Sequence, residues 1–121
     1  MASDTELIID AGILDRYRAL QEAGQPDVVT EFIDVFLEDL PCRLTRLREA
    51  VGRGAPVAIR SAAHALKGSA GSVGALSLSG LCAHLEANAR SGSADGASAL
   101  LSAIEPEAVK AAEELSRLRR P

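Results

Sequence analysis

Apolar residues in this chain recur every three or four positions, and no stretch repeats them every second position. A period near 3.6 belongs to helices that bury one face, so the pattern predicts helices and argues against a sheet. Five segments carry it. The first runs from about Ala11 to Ala23, with Asp10 as its N-cap, Ile13, Leu14, Tyr17 and Leu20 inward, and Gly24-Gln25-Pro26 as its stop. The second spans about Asp27 to Arg53 and turns Val28, Phe32, Val35, Phe36, Leu40, Leu44, Leu47 and Val51 inward; Pro41 should kink it by removing a backbone donor. The third runs from about Pro56 to Val73 and stops at Gly74, and the fourth from about Leu76 to Arg90. The last covers about Asp95 to Arg119, interrupted at Pro106, with Leu100, Leu101, Ile104, Val109, Ala112, Leu115 and Leu118 inward.

Aromatic residues make up only 2% of the 121 positions while 47% are hydrophobic, so the core must be built from Leu, Val, Ile and Ala. Such a core suits close-packed helices. Four amphipathic segments joined by short loops predict an all-α, antiparallel up-down four-helix bundle, with the short N-terminal helix packed across one end and residues 1–121 forming one domain.

The net charge of −4 argues against a nucleic-acid partner, and Arg117, Arg119 and Arg120 read as a basic helix end that complements the helix dipole. No apolar run reaches the roughly 20 residues that would cross a bilayer, and the amino end lacks a secretory signal pattern, which predicts a cytoplasmic protein with no membrane partner. Cys42 and Cys82 are too few and too far apart for a disulfide framework or a metal site; Cys82 shares an apolar stripe with Leu78, Leu81 and Leu85. His64 and His84 lack a third ligand and make a weak zinc signal, so His84 reads as a surface or boundary residue.

The third helix is the unusual one. Ile59, Ala62, Ala63, Leu66, Ala70 and Val73 form its inner stripe, and His64 is rotated about 200° from Ala62 and Leu66, toward solvent. Arg60, Ser61, Lys67, Gly68 and Gly71 share the His64 side, a strip of small or basic residues that would fill no core. A glycine inside a helix costs about 0.5–1 kcal/mol relative to alanine, and clearance above the ring is the simplest reason for both Gly68 and Gly71. A neutral imidazole is nucleophilic. Acyl transfer would want an oxyanion hole and an orienting carboxylate, and neither is visible near this stripe. Phosphoryl transfer needs in-line access and positive charge for the phosphoryl oxygens, which an exposed histidine beside Lys67 and Gly68 supplies. Lys67 alone would read as one more solvated lysine.

The run from Ala62 to Gly71, followed by Gly74-Ala75 and by Leu81-Cys82 and Leu85-Glu86, resembles the core motif of the histidine-containing phosphotransfer (HPt) domains of two-component phosphorelays. Leu14 and the run from Phe36 to Pro41 extend the resemblance over most of the chain. It implies the same helical bundle, His64 as the phosphorylated residue, Lys67 against the phosphoryl oxygens and Gly68 as room for the partner's active site. Receiver domains of response regulators and a hybrid sensor histidine kinase are the implied partners, and a monomer the implied state. Magnesium would belong to the partner receiver, so no cofactor is expected on this chain, nor any ATP-binding or kinase activity of its own. Arg60, Ser61 and Gly71 would lie on the docking strip. Glu86 and Arg90, at i and i+4, either lean over the imidazole or form a plain surface ion pair. Two other readings compete: the phosphotransfer domain of a chemotaxis-type kinase, charged from ATP by a kinase domain, and a helical adaptor that is never phosphorylated. A kinase dimerisation helix fits poorly, because Ala65 rather than an acidic residue follows His64.

Overall fold

The computed structural model describes residues 8–21, 24 and 27–120. Among the described residues five helices follow one another: α1 (Ala11–Leu20), α2 (Val28–Gly52), α3 (Pro56–Ser72), α4 (Leu76–Arg90) and α5 (Ala97–Leu118). No strand occurs among the described residues. Ala23, Gln25 and Pro26, expected to end the first helix, lie outside the described residues, as do Met1 and Pro121 at the ends of the expected domain.

Local chemistry explains the helix ends. Asp10 caps α1 by accepting from the Gly12 amide at 3.0 Å. Asp27 does the same for α2 through the Val29 amide at 3.1 Å, while also accepting from Thr30 and Arg18. Pro56 begins α3, where its missing N–H costs nothing. α5 starts two residues later than expected, because Gly96 adopts φ +81° just before it.

The four long helices pack in a closed ring, α2 on α3, α3 on α4, α4 on α5 and α5 back on α2, and α1 lies against α2. The short connections at 53–55, 73–75 and 91–96 make sequential neighbours antiparallel. This is the expected four-helix bundle with an extra N-terminal helix. The core is aliphatic: Ile33, Leu47, Ile59, Leu66, Leu78, Leu85, Ile104 and Leu115 are fully buried. Arg119 clamps the end of α5 to Asp34 through two hydrogen bonds of 2.8 and 3.0 Å, so part of the basic tail is an ion pair rather than a bare dipole complement.

Several expected inward residues point elsewhere. In α2 the buried stripe is Val29, Ile33, Phe36, Leu40, Leu44 and Leu47, whereas Phe32 and Val35 are 43% and 56% exposed. Those two lie about 100° round the helix from the buried stripe, on the side where Phe32 meets Tyr17 of α1 edge to face, ring centroids 5.7 Å apart. Tyr17 and Leu20 of α1 and Val109 of α5 are likewise exposed, and Ala108 and Ala111 take the inward places near Val109. Pro106 does not interrupt α5, which is continuous through it. Its ring sits on the exposed face, where water can serve the carbonyl that loses its donor. Pro41 is also exposed within the unbroken α2.

The α3–α4 turn is tied to the segment ahead of α1. The Asp10 amide donates to the Gly74 carbonyl at 2.7 Å. Gly74 has φ +77°, and a Cβ there would meet the Asp10 carbonyl oxygen at 2.8 Å, so only glycine fits.

Candidate functional site

His64 stands on α3 in the middle of its solvent face, and its side chain is 69% exposed. Leu66 and Ala63 on the other face are fully buried and fix the helix rotation that turns the imidazole outward. The surrounding ring comes from two helices, since α4 packs along α3 and brings Glu86 beside His64.

Glu86 organises the group. Its Oε2 lies 2.6 Å from His64 Nδ1, and its Oε1 accepts from Lys67 Nζ at 2.6 Å. Arg90 Nη2 is 3.9 Å from the same Oε1, at the edge of ion-pair range. The carboxylate is 6% exposed, yet the hydrogen bond from Lys67, aided by that from His64, outweighs burial and holds its pKa below the usual glutamate range. An ionised carboxylate can only accept, so the proton of a neutral ring resides on Nδ1 and the lone pair on Nε2. Glu86, one of the two residues that the sequence offered as leaning over the imidazole, is thus the carboxylate that contacts the ring, reaching it from α4 rather than from the His64 stripe. It lies against the ring and is buried, with Arg90 only at the limit of ion-pair range, so it does not form the plain surface pair that the i,i+4 spacing also allowed.

Gly68 follows Lys67 on the exposed face, and a Cβ there would meet nothing within 4 Å. Space above that turn of α3 is open. Gly71 differs: a Cβ would touch Ser79 Oγ at 3.6 Å, which places it at the α3–α4 contact. Arg60 and Ser61 are exposed and, with Val57, His64, Glu86 and Arg90, line an open groove. Val57 was not singled out from the sequence, since an isolated exposed valine carries no signal. Nor was Ser79, whose hydroxyl donates to the Lys67 carbonyl at 3.2 Å and ties α4 to α3 beside the site. His84 is exposed on α4, as expected of a surface histidine. No group of three or more His, Cys, Asp or Glu side chains that could hold a metal ion occurs among the described residues.

A model of the Hpt domain matches residues 31–120. The chain belongs to the Hpt family. The crystal structure of histidine-containing phosphotransfer protein B from Pseudomonas aeruginosa PAO1 is similar at 30% identity, with a TM-score of 0.83 over 93% of this chain and 94% of that one. The Hpt domain of a sensor hybrid histidine kinase from Shewanella shares the fold at a TM-score of 0.77 and 15% identity, over 95% of each chain. No curated protein sequence matches. Membership of the Hpt family gives the chain a phosphotransfer role in two-component signalling. No helix among the described residues is long and apolar enough to cross a membrane.

Proposed function

We propose that this Hpt protein relays a phosphoryl group between receiver-domain aspartates through His64. The observation that carries the reading is the bond from His64 Nδ1 to Glu86, which leaves Nε2 as the nucleophilic nitrogen of a ring that is largely open to solvent. Nε2 attacks the phosphorus of an aspartyl phosphate in line. The new N–P bond forms as the acyl phosphate P–O bond breaks, and the aspartate carboxylate of the donor receiver leaves. Positive charge developing on the ring is stabilised by Glu86 through the Nδ1 proton. Lys67 Nζ, one turn from the ring, turns from Glu86 to the phosphoryl oxygens, and Gly68 leaves the approaching active site unobstructed. In the second half-reaction the carboxylate of another receiver attacks the same phosphorus, and Nε2 departs with its lone pair. Magnesium serves on the receiver side of both steps. A hybrid sensor kinase and a response regulator are the partners of this reading, the protein acting as a cytoplasmic monomer without kinase activity.

The test is transfer of acid-labile phosphate from a phosphorylated receiver to the purified protein. Label is expected on the wild type and absent from His64→Gln. Labelling that persists in His64→Gln overturns the assignment, and labelling only by a kinase domain with ATP favours the chemotaxis-type alternative.

A further inference from the structure

A second concentration of positive charge lies one helix face away from His64. Arg43 and Arg46 of α2 and Arg53, the residue that follows it, fall within about 80° of one another around the helix axis, and they border a cleft between α2 and α3. Across the cleft, Ala58, Ala62 and Ala65 of α3 present only methyl groups, so no side chain fills the space, whose volume is about 240 Å³. Ser61 lines both this cleft and the His64 groove.

The arginines are poorly satisfied from within the protein. Arg43 Nε is buried and has no hydrogen-bond partner among the described residues, and the other end of its guanidinium is 3.7 Å from Asp39. Arg46 and Arg53 form no ion pair with any described residue. In a chain of net charge −4, three arginines gather around this one cleft. Glu49 also borders the cleft and opposes an anion there. Guanidinium groups match the oxygens of phosphate with paired N–H donors, and a cleft of about 240 Å³ is below the size that takes a drug-sized ligand.

We propose that the α2–α3 cleft is a binding site for a small phosphate-class oxyanion, held by Arg43, Arg46 and Arg53. The anion is free phosphate or pyrophosphate, or the phosphate group of a small metabolite. The site is distinct from His64 and stands whether or not that residue is phosphorylated.

An amide-resolved NMR titration of the intact protein with inorganic pyrophosphate, at ionic strength held constant with sodium chloride, tests it. Saturable shifts are expected at Arg43, Ala50, Ser61 and Ala62, and should persist in His64→Gln. The Arg46→Gln/Arg53→Gln double variant should weaken binding by about tenfold or more, and Glu49→Gln should tighten it, by removing a like charge. Repeating the titration with phosphate and with glycerol phosphate separates the free anion from an esterified one. Shifts no larger than those of sodium chloride, equal binding by the double variant, or shifts confined to His64, Lys67 and Arg90 would overturn the site. So would saturable binding of an acidic peptide alone, which would make the cleft a protein contact.

Discussion

Glu86 and His64 lie 22 positions apart in the chain, yet their carboxylate and ring nitrogen stand 2.6 Å apart across the α3–α4 contact. The other oxygen of the same carboxylate holds Lys67 at 2.6 Å. One acidic side chain thus sets the tautomer of the proposed nucleophile and the resting place of its cation. Removing it by Glu86→Ala should raise the share of the Nε2–H tautomer, read from the ring nitrogen shifts, and slow phosphoryl transfer by about tenfold, roughly 1.4 kcal/mol in barrier. Glu86→Gln keeps an acceptor for Nδ1 and should preserve the tautomer. Because the carboxyl pKa is lowered in the folded protein, chiefly by the Lys67 hydrogen bond, its stabilising contribution is complete above the normal glutamate value. That contribution is lost as pH falls through the lowered value. An acid titration of the wild type should therefore lose stability that Glu86→Gln does not, which denaturant unfolding at stepped pH will measure.

Gly68 faces open space inside a helix, so its absent side chain is a cost to folding without a packing benefit. Gly68→Ala should raise stability by about 0.5–1 kcal/mol. Gly68→Gln should keep the helical circular dichroism spectrum and slow transfer from a phosphorylated receiver by about tenfold or more, roughly 1.4 kcal/mol in barrier. Equal transfer rates in wild type and Gly68→Gln would remove clearance as its role.

The two cysteines should differ sharply in reactivity. Burial pushes the Cys82 thiol up to about 12, while Cys42 is exposed on α2. Thiolate is the reactive form. A colorimetric disulfide reagent should modify one thiol of the native protein quickly, and the second only after unfolding.

Asp27 caps α2 and also accepts from Thr30 and from Arg18, whose guanidinium reaches on to the Leu118 carbonyl at 2.9 Å. Asp27→Ala should lower the thermal unfolding midpoint measurably, by removing the cap of α2. Arg119→Ala, at the exposed pair with Asp34, should leave the unfolding midpoint nearly unchanged.

Periodicity made the bundle and the outward rotation of His64 readable, because both depend on residues three and four apart along one helix. It failed where two apolar stripes run side by side. In α2, Val28, Phe32 and Val35 form a helical series as regular as Val29, Ile33 and Phe36, and only the packing of neighbouring helices decides between them. Val109 lost its inward place to Ala108 and Ala111 for the same reason. The grip of Glu86 on His64 depends on the register between two helices, which no spacing within either helix encodes. The nearness of Arg90 was visible because it is an i,i+4 relation. The arginine cleft was hidden too, since its walls belong to separate helices and its floor is made of alanines that look like ordinary helix formers.

The hydrogen bond between Asp10 and Gly74 joins the chain just ahead of α1 to the bend from which both α3 and α4 emanate. That bond anchors the residues ahead of α1 to the same turn that fixes how α3 lies against α4, the packing on which the 2.6 Å approach of His64 to Glu86 depends.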